Sequence, residues 1–289
     1  MNSNIENKKV WFVTGASKGL GLTLAKKLLD EGYRVAATSR NSEALIEAVG
    51  GKSDSFLPLE MDLLNEDSVS DAVKKTLAAF GAIDVVVNNA GYGQLGTLEE
   101  MSDREVRQNF DVNVFGVLNV IRSVMPVLRA QRSGHAFNVS SIGGYTANFG
   151  GWGSYCATKF AVAALTESLA AEAKPFGVNA TIVYPGYFRT DFLSKDSMSL
   201  PENPIAEYAE ARQSIDLHEN EINGNQPGDP EKLAAALIKI ASEANPPLHL
   251  FLGRDAYSLA EAKISAVQAD MKDWQELATS TDIENAKAA

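Results

Sequence analysis

Short runs of β-branched and aromatic residues alternate along this chain with longer segments in which apolar positions recur every three or four residues. The short runs have the length of strands buried on both faces, and the longer segments have the period of amphipathic helices. This alternation is typical of a parallel sheet wrapped by crossover helices. It predicts an α/β fold with helices on both faces of the sheet.

Seven runs have the character of strands, and together they predict a seven-stranded parallel sheet. They are Val10–Thr14, Tyr33–Ser39, Phe56–Glu60, Ile83–Asn88, His135–Ser140, Val178–Tyr184 and Leu248–Leu252. Between the first two, Leu20, Leu24 and Leu28 form the apolar stripe of a helix.

Helix boundaries are marked by capping residues. Ser102 and Glu105 have the spacing of a capping box, which would open a long helix toward Gln131 with a bend expected at Pro126. Asp229–Pro230 fits an N-cap followed by a proline in the first helical position.

One segment, from about 191 to 228, breaks the alternation. It is rich in Pro, Asn and Glu and too long for a routine connection, so we expect a lid over a substrate. We expect residues 8–278 to form a single domain, because no linker or repeat interrupts them, and residues 1–7 and 279–289 to be frayed tails.

Composition narrows the class of protein. A chain of 289 residues with 45% hydrophobic composition can bury one large core. Its net charge of -11 opposes binding to nucleic acid or to anionic lipid. The first seven residues lack the basic and apolar regions of a signal peptide, and we see no later apolar run long enough to span a bilayer. We therefore expect a cytoplasmic protein without nucleic-acid or membrane partners.

The cysteine and histidine content argues against a metal site. Cys156 is the only cysteine, which excludes a disulfide within the chain. We expect a helix-packing role for it, the alternative being a reactive thiol beside Tyr155. The three histidines lie far apart in the sequence and have no ligand-like spacing.

A glycine-rich turn lies between the first strand and the first helix. Glycines let such a turn tighten and let its backbone approach a pyrophosphate at the helix N-terminus. A plain connector is the alternative, but the position between strand and helix favours a dinucleotide site. We predict cofactor contacts from Gly15, Ser17, Lys18, Gly19, Leu20 and Gly21.

With this turn, the chain resembles the non-extended branch of the short-chain dehydrogenase/reductase family, whose TGxxxGxG pattern matches Thr14 to Gly21. The likeness continues through Asn88-Asn89-Ala90-Gly91, Asn113, Ser141, Tyr155 with Lys159, and Pro185-Gly186 with Thr190. The resemblance implies a Rossmann fold and a nicotinamide-dependent oxidoreductase. A catalytically silent dinucleotide sensor or an interaction protein on the same fold is the alternative.

Tyr155 and Lys159 are four positions apart, so on a helix they share one face. A neighbouring ammonium and a positive nicotinamide would both lower the tyrosine pKa from its ordinary ~10. Tyr155 would then act as general acid in reduction and general base in oxidation.

Two further residues complete the catalytic set that the resemblance implies. The Ser141 hydroxyl would donate to the substrate carbonyl, while its neighbour Ser140 is the alternative because serines at strand ends often satisfy backbone groups. Asn113 would hold a water that links the lysine to solvent; its alternative is an exposed helix asparagine.

The resemblance also assigns cofactor contacts. Asn88, Ala90 and Gly91 would line the adenosine ribose side, and Thr190 would touch the nicotinamide amide. Pro185, Gly186, Tyr155 and Lys159 belong to the same set, and Lys159 would bind the nicotinamide ribose. Asp62 would face the adenine amino group, although it could equally start a turn.

The residue after the second strand predicts which dinucleotide is used. Arg40 can pair with the 2′-phosphate of NADP, and Lys18 adds a second positive charge. The nearest acidic residue in sequence, Glu43, falls beyond that strand, and no carboxylate is seen at its end. The sequence therefore predicts NADP(H), unless Arg40 is an ordinary solvated side chain.

Aromatic residues around the catalytic set predict an apolar ketone, aldehyde or secondary alcohol as substrate. They are Tyr145, Phe149, Trp152, Tyr187, Phe188 and Phe192, any of which could instead anchor the lid. The stretch Val139 to Phe160 is similar to hydroxysteroid and retinol dehydrogenases. The family's usual dimers and tetramers imply association through two long helices, 103–131 and 154–176, whose apolar residues could equally pack on the sheet.

Overall fold

Seven parallel strands form the main sheet of the computed structural model, which describes residues 8–194 and 197–283. They are β1 Val10–Val13, β2 Arg34–Ser39, β3 Phe56–Glu60, β4 Val85–Asn88, β6 Gly134–Val139, β7 Val178–Pro185 and β9 His249–Leu252. Their order is β3-β2-β1-β4-β6-β7-β9, and each neighbouring pair is parallel. The seven-stranded parallel sheet that the hydrophobic pattern predicts and the Rossmann fold that the resemblance implies are therefore confirmed, with strand ends shifted by at most two residues.

The helices lie between these strands in the chain. They are α1 Gly19–Asp30, α2 Ser42–Val49, α3 Glu66–Phe80, α4 Asp103–Gln131, α5 Gly153–Ala173, α6 Ala209–Asp216, α7 Pro230–Ile240, α8 Arg254–Asp273 and α9 Gln275–Thr279. Ser102 forms the expected capping box with Glu105, and Asp229 caps α7.

Alternate residues of each strand face opposite layers of helices. Trp11 and Val13 pack in one buried cluster with α1 and α7, whereas Phe12 packs in another with α3, α4 and α5. The period of two along a strand places successive side chains on opposite faces. Both faces are buried, so helices cover the sheet on both sides as predicted.

Helix α4 differs from expectation in two ways. It stays α-helical through Pro126 and instead departs from α-geometry in a π-helical turn at Asp111–Phe115. By length and composition alone it could cross a membrane, contrary to our expectation that no such run exists. Its buried residues Val120, Val124 and Leu128 pack in the core cluster on the sheet, so the protein interior covers this apolar side.

The described residues of the segment from 191 to 228, which leave out 195 and 196, are folded. After a short 3₁₀ turn, β8 Met198–Ser199 pairs with β5 Gly93–Gln94, and α6 continues into a π-helical turn, Leu217–Ile222. Arg212 of α6 forms an ion pair of 2.6 Å with Glu100, whose carboxylate is buried. Further hydrogen bonds from the backbone N–H groups of Glu202 and Ile205 to Glu105 and Glu100 attach the segment to the region beside the sheet at several points.

At the C-terminal end, every described residue from 261 to 283 is exposed. Ile264, Met271, Trp274 and Leu277 leave between 42% and 69% of their surface open. Thr279 ends α9, and the rest of the predicted tail beyond Ile283 lies outside the described residues, as do residues 1–7.

Candidate active site

The glycine-rich turn joins β1 to α1 at the carboxyl end of the sheet. Gly15 and Gly19 have φ of 64° and 57°, a left-handed conformation that favours glycine. A Cβ on Gly15 would lie 2.8 Å from the Cα of Ala90, and one on Gly21 would lie 2.6 Å from the carbonyl oxygen of Gly15. The turn therefore needs these glycines to pack against the end of β4 and against itself.

Thr14 connects the ends of β1 and β4. Its hydroxyl accepts hydrogen bonds from the backbone N–H groups of Asn89 and Ala90, each at 3.1 Å. In return, the Asn89 side-chain amide donates to the carbonyl oxygens of Thr14 and Gly15, each at 3.0 Å. The strand order reverses between β1 and β4, and ligands of open parallel sheets bind at such a switch point.

A cavity of about 1760 Å³ opens at this point and extends toward the folded segment 191–228. Most of the predicted site residues line it: Gly15, Ser17, Lys18, Gly19, Leu20, Arg40, Asp62, Ala90, Gly91, Ser141, Tyr155, Lys159, Pro185, Gly186 and Thr190. Gly21, Asn88 and Asn113 are not among the lining residues.

Asn88 differs most from its predicted role. Its side chain is buried in the sheet and donates a 2.7 Å hydrogen bond to Asn138 on the neighbouring strand. The expectation that it lines the ribose side is therefore wrong, because the last residue of β4 points into the protein rather than into the cavity. Gly21 supports the turn through close packing, as described above, and does not itself face the cavity.

Tyr155 and Lys159 lie on α5, one turn apart, with the ammonium 5.8 Å from the centre of the phenol ring. The Lys159 ammonium donates a 2.9 Å hydrogen bond to the Val139 carbonyl oxygen. Burial lowers the Lys159 pKa to about 8. Burial also raises the Tyr155 pKa above its ordinary value, against the opposing effect of a hydrogen bond with Ser141. The chain's own groups thus shift the Tyr155 pKa in the direction opposite to the one we expected.

The two adjacent serines have different surroundings. Ser140 is buried, and its hydroxyl donates a 2.8 Å hydrogen bond to the Lys159 carbonyl oxygen. Ser141 lines the cavity, where it bonds to Tyr155 and accepts a 3.0 Å hydrogen bond from the Gly143 N–H. Ser140 also borders the cavity, but its hydroxyl proton is donated to the backbone. Of the two candidates, Ser141 is therefore the one whose hydroxyl can serve a substrate.

Asn113 lies inside the π-helical turn of α4 and is fully buried, so it is not the exposed helix asparagine of the alternative interpretation. Its side-chain oxygen accepts a hydrogen bond from the Tyr92 N–H, and its amide nitrogen donates one to the Tyr92 carbonyl oxygen, each at 3.0 Å. The amide nitrogen also donates to the Thr158 hydroxyl at 3.1 Å. A Cβ on Gly91 would lie 2.9 Å from its oxygen and 3.4 Å from the Lys159 ammonium nitrogen. Asn113 and Lys159 therefore approach the same point of the backbone.

Several charged residues surround the far end of the cavity, beyond the glycine-rich turn. Arg40 is exposed there, as expected. Glu60, which pairs in register with Ser39, also lines this end, so the expectation that no carboxylate lies there is wrong. The sequence does not reveal Glu60 at this position, because β3 lies beside β2 only in the folded sheet. Asp62 lines the cavity and also starts a turn, since its carboxylate accepts a 3.0 Å bond from the Leu64 N–H.

At the opposite end, the cavity is mostly apolar. Phe149, Trp152, Tyr187, Phe188 and Phe192 line it as predicted, together with Leu193, Met198 and Leu200 from the segment 191–228. Tyr145 does not, because its ring packs against Tyr184 and Phe251 at 5.7 and 5.0 Å.

Sequence reasoning missed His218, which also lines this end. It lies in a segment without a named motif. Cys156 is buried, and burial raises its thiol pKa to about 11, which fits packing rather than a reactive thiol.

Comparisons with known proteins agree with this geometry. A family model described as short chain dehydrogenase matches residues 9–199. The oxidoreductase BOA17 of Botryotinia fuckeliana is 35% identical over 277 residues, which cover 93% of this chain and 97% of the relative. A solved short-chain dehydrogenase from Streptomyces avermitilis has a TM-score of 0.86 at 36% identity, covering 95% of this chain and 100% of that one. The 3-ketoacyl-(acyl-carrier-protein) reductase from Brucella melitensis, complexed with NADH, has a TM-score of 0.70 at 26% identity, covering 86% and 98%.

Proposed function

The chain belongs to the short-chain dehydrogenase family of oxidoreductases, and from this premise we propose that it is an NADP(H)-dependent enzyme acting on a mostly apolar ketone or aldehyde, or on the matching secondary alcohol. One observation carries the proposal. Tyr155 lines the same cavity as the glycine-rich turn. Its side chain is hydrogen-bonded to Ser141 and lies one helical turn from Lys159.

Each catalytic side chain has a distinct task. When bound, the nicotinamide supplies or accepts the hydride. The Ser141 hydroxyl holds the substrate oxygen, and Tyr155 donates a proton to that oxygen in reduction or removes it in oxidation. The raised pKa keeps Tyr155 protonated at neutral pH, which is the form that reduction requires. Lys159, held by Val139, and Asn113, held by Tyr92, keep this side of the site in place.

The choice of NADP(H) over NAD(H) is supported by Arg40 and Lys18, which line the cavity beyond the turn. Charge-assisted contacts with a 2′-phosphate contribute roughly 1.5–3 kcal/mol each. Glu60 opposes this preference, because a carboxylate repels the phosphate. Asp62, which also lines the cavity, acts in the same direction as Glu60. Because Arg40 and Lys18 can contact the phosphate directly, we expect at least a tenfold preference for NADPH.

The apolar substrate class is supported by the lining of the cavity beside Tyr155, where Phe149, Phe192, Leu193 and Met198 meet. The last three belong to the segment 191–228, so this segment serves as the lid of the proposed site. A catalytically silent sensor would need the glycine-rich turn alone. The placement of Ser141, Tyr155 and Lys159 on one cavity supports turnover instead.

The proposal extends to assembly and location. Phe115 on α4 and Phe160 on α5 are 52% and 41% exposed, which supports a homodimer or homotetramer associating through these two helices. Light scattering at micromolar concentration tests this, and a monomer would contradict it.

A cytoplasmic location rests on the sequence alone, whose single cysteine needs no oxidising compartment.

The decisive experiment is an assay of NADPH and NADH oxidation with a panel of ketones and aldehydes, including sugars and charged carbonyl compounds. We expect turnover of apolar carbonyl compounds and a higher kcat/KM with NADPH. A strict preference for charged or polyhydroxylated substrates would contradict the substrate class. Absence of turnover with the entire panel, despite cofactor binding, would favour the silent sensor.

A further inference from the structure

A hydrogen-bonded polar pair lies beside the aromatic residues of the substrate end. The Tyr187 hydroxyl and the Nε2 atom of His218 are 2.8 Å apart, and both residues line the cavity. The Trp152 ring lies between this pair and Tyr155, with centroids 4.9 Å from His218 and 5.7 Å from Tyr155. The pair is therefore one ring away from the residue that transfers the proton.

Hydrogen bonding fixes the direction of this pair. The Nδ1 atom of His218 lies 2.6 Å from the Ser214 carbonyl oxygen, which can only accept, so Nδ1 carries a proton. Burial lowers the His218 pKa, and the ring is therefore neutral at neutral pH with a bare Nε2. The Tyr187 hydroxyl must then donate its only proton to Nε2.

A hydroxyl whose only proton is already donated to a neighbour can only accept hydrogen bonds from a ligand. Within the described residues, Tyr187 has no other hydrogen-bond partner for its hydroxyl than His218. A substrate that reaches this oxygen can therefore donate a hydrogen bond to it but cannot accept one from it.

We propose that the substrate bears a hydrogen-bond donor, a hydroxyl or an ammonium group, close to the reacting carbon, and that Tyr187 accepts this hydrogen bond. This inference rests on the proposed function and narrows its substrate class to hydroxy- or amino-substituted carbonyl compounds and the matching alcohols. Phe149, Phe192 and Met198 hold the apolar remainder of the molecule. A substrate with only an acceptor at this position would leave two acceptors facing each other.

Four secondary alcohols of equal chain length test the inference in the oxidation direction with NADP⁺. They are 2-decanol, 1-methoxy-2-decanol, 1,2-decanediol and 1-amino-2-decanol. Besides the reacting hydroxyl, the first has no polar group and the second has only an acceptor on the neighbouring carbon. The last two have a hydrogen-bond donor on that carbon. We expect kcat/KM for one or both donor-bearing alcohols to exceed that for the methoxy compound by about tenfold or more. The diol and the amino alcohol distinguish the two donor types.

The variant Tyr187→Phe keeps the ring and removes the acceptor, so the preference should disappear while 2-decanol is still oxidised. His218→Leu removes the acceptor of the Tyr187 hydroxyl, which can then donate its hydrogen bond to the substrate. The kcat/KM for the methoxy compound should therefore rise relative to that for the diol. Tyr145→Phe is the matched control, because Tyr145 packs outside the cavity, and it should leave the preference unchanged.

A role of Tyr187 and His218 in anchoring the lid alone would change all four rates together. Equal kcat/KM values for the four alcohols in the unmodified protein, or a preference that survives in Tyr187→Phe, would overturn the inference and leave the proposed function intact. Absence of turnover with every alcohol and every carbonyl compound would overturn the proposed function itself and the inference with it.

Discussion

The hydroxyl of Ser140 donates a 2.8 Å hydrogen bond to the carbonyl oxygen of Lys159, and this bond ties the end of β6 to the helix that carries Tyr155. Gly144 lies against the same contact, where a Cβ would overlap the Ser140 hydroxyl. Both serines border the cavity, but the Ser141 side chain is hydrogen-bonded to Tyr155 instead. Two adjacent serines therefore serve structure and chemistry separately.

Replacing each serine by alanine should separate these roles. We expect Ser141→Ala to lower kcat by roughly 10²- to 10³-fold, as the loss of one donor to a developing oxyanion does, with little change in stability. Ser140→Ala should cost about 1 kcal/mol of unfolding free energy and lower kcat less. Urea unfolding and steady-state kinetics on both variants provide the measurement. Similar kcat values in the two variants would contradict the assignment.

Tyr155→Phe should abolish most turnover and leave cofactor binding nearly intact. The ring and its packing against Trp152 and Phe192 are kept, whereas the transferable proton is lost. Cofactor affinity can be followed by NADPH fluorescence, and turnover should be measured with a substrate whose chemical step limits the rate. Wild-type turnover in this variant would show that another group transfers the proton.

The buried ammonium of Lys159 should make stability depend on pH in the alkaline range. Its pKa is lowered to about 8 by burial, whereas the unfolded chain has ~10.4. Between these values the unfolded state binds more protons, so the unfolding free energy rises with pH, by up to about 3 kcal/mol. This gain is complete above the unfolded pKa and is lost as pH falls through the folded one.

The measurement compares wild type with Lys159→Met by urea unfolding from pH 8 to pH 10.5. The stability difference between them should shift in favour of the wild type as pH rises. Lys26→Met, which removes an exposed lysine from α1, is the control and should show no such trend. A flat difference for Lys159→Met would mean that the folded protein holds this proton as tightly as the unfolded chain.

Cofactor preference should respond in opposite directions to the loss of a positive and of a negative charge at the far end of the cavity. Arg40→Asp should abolish or invert the preference for NADPH, and Lys18→Ala should weaken it less. Glu60→Gln should increase it, because the carboxylate that lines the same end is neutralised. The ratio of kcat/KM for NADPH to that for NADH is the readout. Equal efficiency with both nucleotides in the unmodified protein would refute the proposed preference.

Gly15→Ala should weaken cofactor binding beyond what backbone strain explains. Gly15 and Gly81 both have positive φ, 64° and 78°, so alanine at either costs roughly 1–2 kcal/mol of stability. At Gly81, at the end of α3, the added methyl meets nothing within 4 Å, whereas at Gly15 it meets the backbone of Ala90. Titration of both variants with NADPH should show a loss of affinity for Gly15→Ala alone. Equal losses would mean that the contact with Ala90 is unimportant.

The sequence predicts the parts of the site that depend on local pattern. The glycine-rich turn, the spacing of Tyr155 and Lys159 and the strand periods are all properties of neighbouring residues, and the structure brings them to one cavity. The sheet itself follows from alternation of strands and helices, which leaves few parallel topologies.

What the sequence could not provide depends on side-chain direction and on pairing across the sheet. Asn88 ends β4, but whether it points to the cavity or to Asn138 is decided only by the register of β4 and β6. Glu60 reaches the cofactor end because β3 lies beside β2. His218 is brought to the substrate end by a folded segment that no local motif describes.

The bonds of the Thr14 hydroxyl to Asn89 and Ala90 have a thermodynamic consequence for cofactor affinity. Fixing the backbone of one residue costs about 1–2 kcal/mol of conformational entropy. In this protein the bonds that fix the turn, and the pairing of β1 with β4, are made by the chain itself and need no contact with the nucleotide. Preorganisation of this kind removes the turn's own ordering from the cost of binding, so that the entropy lost there is mainly the nucleotide's translational, rotational and torsional freedom.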